Sequence, residues 1–166
     1  MSERTVRQTG DEILRKQSKD VSELTDRLKE LIVDMKDTMK IHGGCGLAAV
    51  QVGVLKKIII CAPEEDKEPV VLINPEIISS SSETEEDSEG CLSVDGYRGQ
   101  VVRPKSIVVK AKDENMNDME FDAEGFFARI ICHEVDHLNG VLYTDKVVPG
   151  TLKDVNEEES TEEEIE

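Results

Sequence analysis

The residues of this chain with the clearest chemical potential are two histidines and a glutamate in the run His133-Glu134-Val135-Asp136-His137. On a helix, side chains four positions apart lie on one face, so His133 and His137 can direct ring nitrogens at one metal ion. Glu134 projects about 100° around the axis, beside the ion, where it can accept a proton from an attacking water molecule. The spacing therefore predicts a metal-dependent hydrolase.

The surroundings of these histidines favour a metal site over a chance pair on a solvated surface. Phe126, Ile130, His133 and His137 fall on one helical stripe, so the histidines continue an apolar face. The chain has three histidines, and two of them form this motif. We therefore interpret both as metal ligands.

A catalytic metal usually takes three protein ligands and keeps a fourth position open, so one more ligand is required. No histidine follows His137, and the downstream acids lie near Asp145 or in the glutamate-rich C-terminal stretch. Upstream, Cys91 lies in EGCLS (residues 89–93), where Gly90 allows the backbone to approach an ion closely. Cys91 is the predicted third ligand.

Hydrophobic periodicity predicts a helix on each side of a small sheet region. Residues 124–138 form the histidine helix, with Asn139-Gly140 as its stop. A leucine and methionine stripe predicts a helix over residues 21–41, with Asp20 and Glu23 as a capping box. Residues 57–61, 70–73 and 106–112 have strand patterns. The predicted fold class is α+β, with small mixed, mostly antiparallel sheets around the central metal-binding helix and an N-terminal helix.

Size and charge limit the remaining possibilities. The 166 residues suit one catalytic domain over residues 1–150, followed by an acidic, disordered tail over residues 151–166. The net charge of -17 argues against binding to nucleic acid or to an anionic membrane. Neither a signal peptide nor a span of roughly 20 apolar residues is visible, so we expect a cytoplasmic protein.

Three separated motifs together resemble the bacterial peptide deformylases. They are GCGLAAVQ (residues 44–51), EGCLS (residues 89–93) and HEVDH (residues 133–137), in the order and with separations similar to those of the family. The resemblance spans roughly residues 5–148. It implies a metal-dependent hydrolase of the bacterial cytoplasm that removes the formyl group from the N-terminal formyl-methionine of newly made polypeptides and releases formate.

The resemblance also implies the metal and its ligands. Cys91, His133 and His137 would hold one divalent ion, Fe²⁺ in the cell, replaceable by Ni²⁺, Co²⁺ or Zn²⁺. The residue types alone leave the ion open, because several first-row metals accept one cysteine and two histidines. The expected partners are N-formyl-methionyl nascent peptides. Proximity to the ribosome would be transient, and it would not depend on the basic C-terminal helix that some family members have, since this chain ends in glutamates.

Motif positions assign the catalytic roles. Glu134 would move the protons of the reaction, while the Gln51 side-chain amide and the Leu92 backbone N–H would stabilise the oxyanion. Gly44 and Gly46 would keep their loop thin so that a peptide can lie against it; an ordinary turn is the alternative.

The methionine pocket would be lined by Phe126 and Ile130, although core packing explains the same pattern. Arg129 would lie at the rim of that pocket or face water. Glu89 and Arg103 would pair behind Cys91 or form a weak surface ion pair.

Cys45, Cys61 and Cys132 are interpreted as small buried hydrophobic residues. Two rival functions remain at this point. A zinc peptidase would suit the histidine helix, and a noncatalytic module with a structural ion would need a fourth protein ligand that the sequence does not offer.

Overall fold

The computed structural model describes residues 2–156, and these residues form two α-helices and two antiparallel sheets. Helix α1 is Asp26–Ile41 and helix α2 is Gly125–Leu138. Within the described residues, neither helix combines the length and apolarity that crossing a membrane requires. The predicted fold class, α+β with mostly antiparallel sheets, is confirmed.

Helix α1 begins later than the sequence predicted. The side chain of Thr25, not that of Asp20, caps it by accepting a hydrogen bond from Leu28 N at 3.3 Å. Residues 21–24 are not helical because Val21 is tied to a strand: its N–H donates to Asn74 Oδ1, and Asn74 Nδ2 donates to Val21 O. The predicted end, before Gly43, is confirmed.

The larger sheet has five strands in the order β1-β2-β3-β6-β7, all antiparallel. Their bounds are β1 Gly46–Ala48, β2 Ile58–Cys61, β3 Val70–Ser80, β6 Ser106–Lys112 and β7 Asp118–Glu124. The predicted strand over residues 70–73 is therefore only the start of β3, which continues past Pro75 through an irregularity in its register with β6.

Strand β2 shows why the sheet needs a helix on each face. Alternate side chains of a strand point to opposite faces. Ile58 and Ile60 pack in the cluster that contains the buried residues of α1, whereas Ile59 and Cys61 pack in the cluster that contains those of α2. Burying such a side chain contributes about 1.5–3 kcal/mol, so the sheet fixes α2 firmly.

The smaller sheet consists of β4 Thr84–Cys91, β5 Val94–Pro104 and β8 Lys153–Asp154, in that order. The acidic run over residues 79–89 forms the end of β3 and most of β4. Residues 84–87 pair through the backbone with β5 while their side chains stay exposed to solvent.

The C-terminal stretch contributes to the smaller sheet. Strand β8 pairs with Tyr97 and Arg98 of β5, so Lys153 and Asp154, which lie within the predicted tail, belong to that sheet. Backbone pairing with a distant strand leaves no local sequence pattern. The rest of the predicted tail, residues 157–166, lies outside the described residues, and the single-domain assignment of residues 1–150 stays a prediction.

Candidate active site

Helix α2 carries two of the predicted ligands on its buried face. Its bounds agree with the predicted helix to within one residue: it ends at Leu138, and the cap residue Asn139 is followed by Gly140 in the left-handed region at φ +75°. Replacing Gly140 would destabilise the fold, since a Cβ there would lie 2.5 Å from Arg15 O. His133 is 7% exposed and His137 is fully buried. Burial holds the pKa of His137 well below its usual range, which keeps this imidazole neutral and able to bind a metal.

The hairpin of β4 and β5 brings Cys91 to the same point. Cys91 pairs with Val94 across a two-residue turn, and its Sγ lies 3.3 Å from His137 Nε2. One ligand atom from each of Cys91, His133 and His137 lies within 4.8 Å of the others. A thiolate and two imidazoles bind first-row divalent metals at about 2.0–2.3 Å, so donors this close together fit around one ion. The three predicted ligands therefore converge as a metal site requires.

Glu89 contacts the ring nitrogen of His133 that does not face the cavity. Its Oε1 lies 2.9 Å from His133 Nδ1, which leaves Nε2 to face Cys91 and the cavity. Burial alone would raise the pKa of Glu89, but hydrogen bonds from Arg103 and His133 outweigh it and hold this pKa well below its usual range. Glu89 is therefore ionised, and its charge orients the imidazole and increases its basicity.

Arg103 and Arg129 keep that carboxylate in place. Arg103 donates two hydrogen bonds of 2.9 Å to Glu89 and a third, of 2.7 Å, to Asp136. With Glu89 5% and Arg103 3% exposed, the predicted pairing is confirmed and the surface-pair alternative is wrong. Arg129 does not face water: it is buried and lines the cavity, and it donates to Glu89 Oε2 at 2.6 Å and to Val101 O at 2.9 Å.

Glu134 is a buried carboxylate beside the converging donors. It is 4% exposed, and its Oε1 has no hydrogen-bond partner among the described residues. Its Oε2 lies 4.0 Å from His133 Nε2. Burial raises the pKa of Glu134 to about 7, while the charge of His133 opposes the rise. A carboxyl group with this pKa and a free oxygen can both accept and return a proton near neutral pH.

Gln51 and the turn at Leu92 flank Cys91. Gln51 is buried, its Oε1 accepts from Ala48 N at 2.9 Å, and its Nε2 donates to Ser93 Oγ at 3.0 Å and to Cys91 Sγ at 3.5 Å. Ser93 N also donates to Cys91 Sγ, at 3.4 Å. These donors would stabilise a thiolate at Cys91, the form that binds a metal.

A cavity of about 780 Å³ opens in front of these groups. The loop and strand of Gly44 and Gly46 line it, and so does the turn of Cys91 and Leu92. Phe126 and Ile130 extend the lining, Phe126 being 54% exposed and Ile130 buried. His133 and Glu134 also line the cavity.

The sequence did not predict the positions of some residues at the site. Cys45 is exposed and lines the cavity, so its assignment as a buried hydrophobic residue is wrong, whereas Cys61 and Cys132 are buried as predicted. Tyr143 stacks on His133 with ring centroids 5.8 Å apart. Its position follows the exit of α2 by a few residues, but nothing in the local sequence shows that the chain turns back over the helix.

Comparison with known proteins identifies the family and the fold. The family model described as polypeptide deformylase matches residues 3–153. The peptide deformylase of Lachnoclostridium phytofermentans is 48% identical over 165 residues, 99% of this chain and 100% of that protein. The peptide deformylase of Agathobacter rectalis is 48% identical over 98% of this chain and 100% of its own length.

Solved structures agree with the sequence comparison. The peptide deformylase of Thermotoga maritima superposes with a TM-score of 0.85 at 39% identity, covering 89% of this chain and 99% of that one. The enzyme of Ehrlichia chaffeensis, solved in complex with actinonin, has a TM-score of 0.86 at 37% identity and covers 90% of this chain and 91% of that one. The chain therefore belongs to the polypeptide deformylase family, metal-dependent hydrolases that remove the N-formyl group from newly made polypeptides.

Proposed function

We propose that Cys91, His133 and His137 hold one divalent metal ion at the base of the cavity and that Glu134 moves the protons of deformylation. The observation that carries this proposal is the free oxygen of Glu134, buried without a partner among the described residues and next to the three converging donors. A buried carboxylate oxygen without a hydrogen bond is costly, and such exceptions call for a functional explanation.

When bound, the ion would polarise the formyl carbonyl and lower the pKa of a water molecule. We propose Fe²⁺ as the ion in the cell, with Ni²⁺, Co²⁺ or Zn²⁺ able to replace it in purified protein, because one thiolate and two imidazoles suit each of these metals. Elemental analysis of anaerobically purified protein tests the assignment. Anaerobically purified protein that contains no iron would contradict it.

The protein groups around the formyl carbon would transfer the protons and stabilise the negative charge. Glu134 accepts a proton from the attacking water and later delivers it to the leaving amine. The Leu92 N–H and the Gln51 amide donate to the oxygen that becomes negatively charged in the tetrahedral intermediate. Removing one such donor lowers turnover by about 10²–10³-fold in enzymes that use this device.

The apolar part of the cavity would select the first residue. Phe126 and Ile130 would contact the methionine side chain, for which burial is worth roughly 1.5–3 kcal/mol. Gly44 and Gly46, which also line the cavity, leave room for the peptide backbone. A Cβ on Gly44 would lie 2.8 Å from Leu92 Cδ1, so glycine here lets the side chain of Leu92 lie close to this loop.

We propose that the substrates are N-formyl-methionyl nascent peptides in the bacterial cytoplasm. Encounter with the ribosome would be transient, and the glutamates over residues 157–166 would not provide a basic docking segment. The same charge argues against direct binding to nucleic acid.

Glu134→Gln tests the central proposal, because it keeps the shape of the side chain and removes its ability to accept a proton. We expect one metal ion per chain, as in the wild type, and turnover lower by at least about 10²-fold. Metal content is measured by elemental analysis and turnover by formate release. Retained turnover, or loss of the metal together with the fold, would contradict the role given to Glu134.

A further inference from the structure

A short N-terminal segment, residues 7–9, connects the two loops that flank Cys91. Arg7 N donates to Gln51 O at 2.7 Å, and Thr9 N donates to Ser93 O at 2.7 Å. One loop carries the Gln51 amide, and the other is the turn between β4 and β5. The segment therefore fixes the positions of both proposed oxyanion donors relative to each other.

The side chain of Gln8 adds a second attachment to the turn. Its Nε2 donates to Leu92 O at 2.9 Å, and its Oε1 accepts from Asp95 N at 3.4 Å. Nε2 also lies 3.4 Å from Val6 O. Two carbonyl oxygens on one side and an N–H group on the other determine which way the amide points. Gln8 thus spans the turn from Leu92 to Asp95.

We propose that Gln8 is a positioning residue for deformylation, acting through the turn that contains Cys91 and Leu92. The inference rests on the proposed function, in which the Leu92 N–H faces the developing oxyanion. A bond to Leu92 O fixes the backbone of the same residue, and Cys91 Sγ in turn accepts from Ser93 N. Catalytic donors must be preorganised, and a displacement of about 1 Å can cost about 10²-fold in rate.

Gln8→Met removes all of these hydrogen bonds while keeping the length of the side chain. We expect kcat for formyl-Met-Ala-Ser to fall about three- to tenfold, the factor that one lost hydrogen bond supports, with KM within about twofold. Gln8→Lys keeps a donor for Leu92 O, so we expect it to retain more activity than Gln8→Met. Gln17→Met is the matched control, because Gln17 is an exposed glutamine that does not line the cavity.

Hydrogen exchange gives a readout that a general loss of stability would not imitate. In Gln8→Met, the amides of residues 92–95 are expected to exchange faster than in the wild type, while those of α1 stay unchanged. An unchanged kcat, an equal loss in Gln17→Met, or uniformly faster exchange across the protein would each overturn the inference. Wild-type protein that releases no formate would instead refute the proposed function.

Discussion

Gly46 offers a direct test of where the Glu134 carboxylate must lie. A Cβ on Gly46 would lie 2.5 Å from Glu134 Oε2 and 2.9 Å from Ile130 Cγ2, whereas ordinary contacts begin at 3.4 Å. Gly46→Ala must therefore displace the carboxylate by roughly 1 Å, since the side chain is enclosed and packed. The nearest atoms all belong to Glu134 and Ile130, so the new methyl group does not reach the proposed metal ligands first.

A displacement of this size is expected to lower kcat/KM by about 10²-fold, equivalent to about 2.7 kcal/mol of transition-state stabilisation. Metal content should stay at the wild-type level. Formate release from formyl-Met-Ala-Ser gives the kinetic constants, and elemental analysis gives the metal content per chain.

Gly150→Ala is the control for the added methyl group. Nothing lies within 4 Å of its Cβ position, and its φ of +83° makes the substitution strained. It should cost about 1–2 kcal/mol of stability and leave kcat/KM unchanged. Wild-type kcat/KM in Gly46→Ala would refute the claim that catalysis depends on this position of Glu134.

Four further substitutions examine the proposed ligands and the residues that support them. Glu89→Gln should weaken metal binding about 10–100-fold, measured by chelator competition, because His133 loses its anionic partner; unchanged affinity would contradict this. Cys91→Ala should deplete the metal, whereas Cys45→Ala should not, and equal occupancy on elemental analysis would remove Cys91 from the ligand set. Arg103→Met should lower the unfolding free energy by about 3–5 kcal/mol at pH 7. This difference should shrink in urea titrations below pH 4.5, the ordinary pKa of glutamate, as Glu89 becomes protonated; an equal difference at pH 3 would contradict it.

The direction of the last effect follows from the pKa of Glu89. Because Arg103 and His133 hold that pKa below 4.5 in the folded protein, ionised Glu89 stabilises the fold above this pH. The contribution is lost as the pH falls from 4.5 toward the lower folded-state value. Arg103→Met removes the partner, and with it most of this pH dependence.

The parts of the fold that sequence predicted well are those with a local signal. Helix α2 has a stripe with helical spacing and a left-handed glycine after it, so both of its ends were predicted. The strand over residues 106–112 alternates and was predicted to the residue. The start of α1 was missed because a tertiary contact, between Val21 and Asn74, holds the preceding residues extended.

The convergence of the three proposed metal ligands was predictable for a different reason. His133 and His137 share one helix, and Cys91 was the donor left after poor candidates were removed. The burial of Arg129 was missed because its partners, Glu89 and Val101, are distant in sequence. The contact of Gln8 with Leu92 was not predicted, because no sequence pattern connects an exposed glutamine near the N terminus to a residue 84 positions away.

The central claim is that this cavity hydrolyses a terminal formyl amide. It is tested most directly by incubating metal-loaded protein with formyl-Met-Ala-Ser and measuring formate together with the peptide products. We expect one formate for each Met-Ala-Ser formed and no cleavage between residues. Cleavage of an internal peptide bond without formate release would contradict the claim.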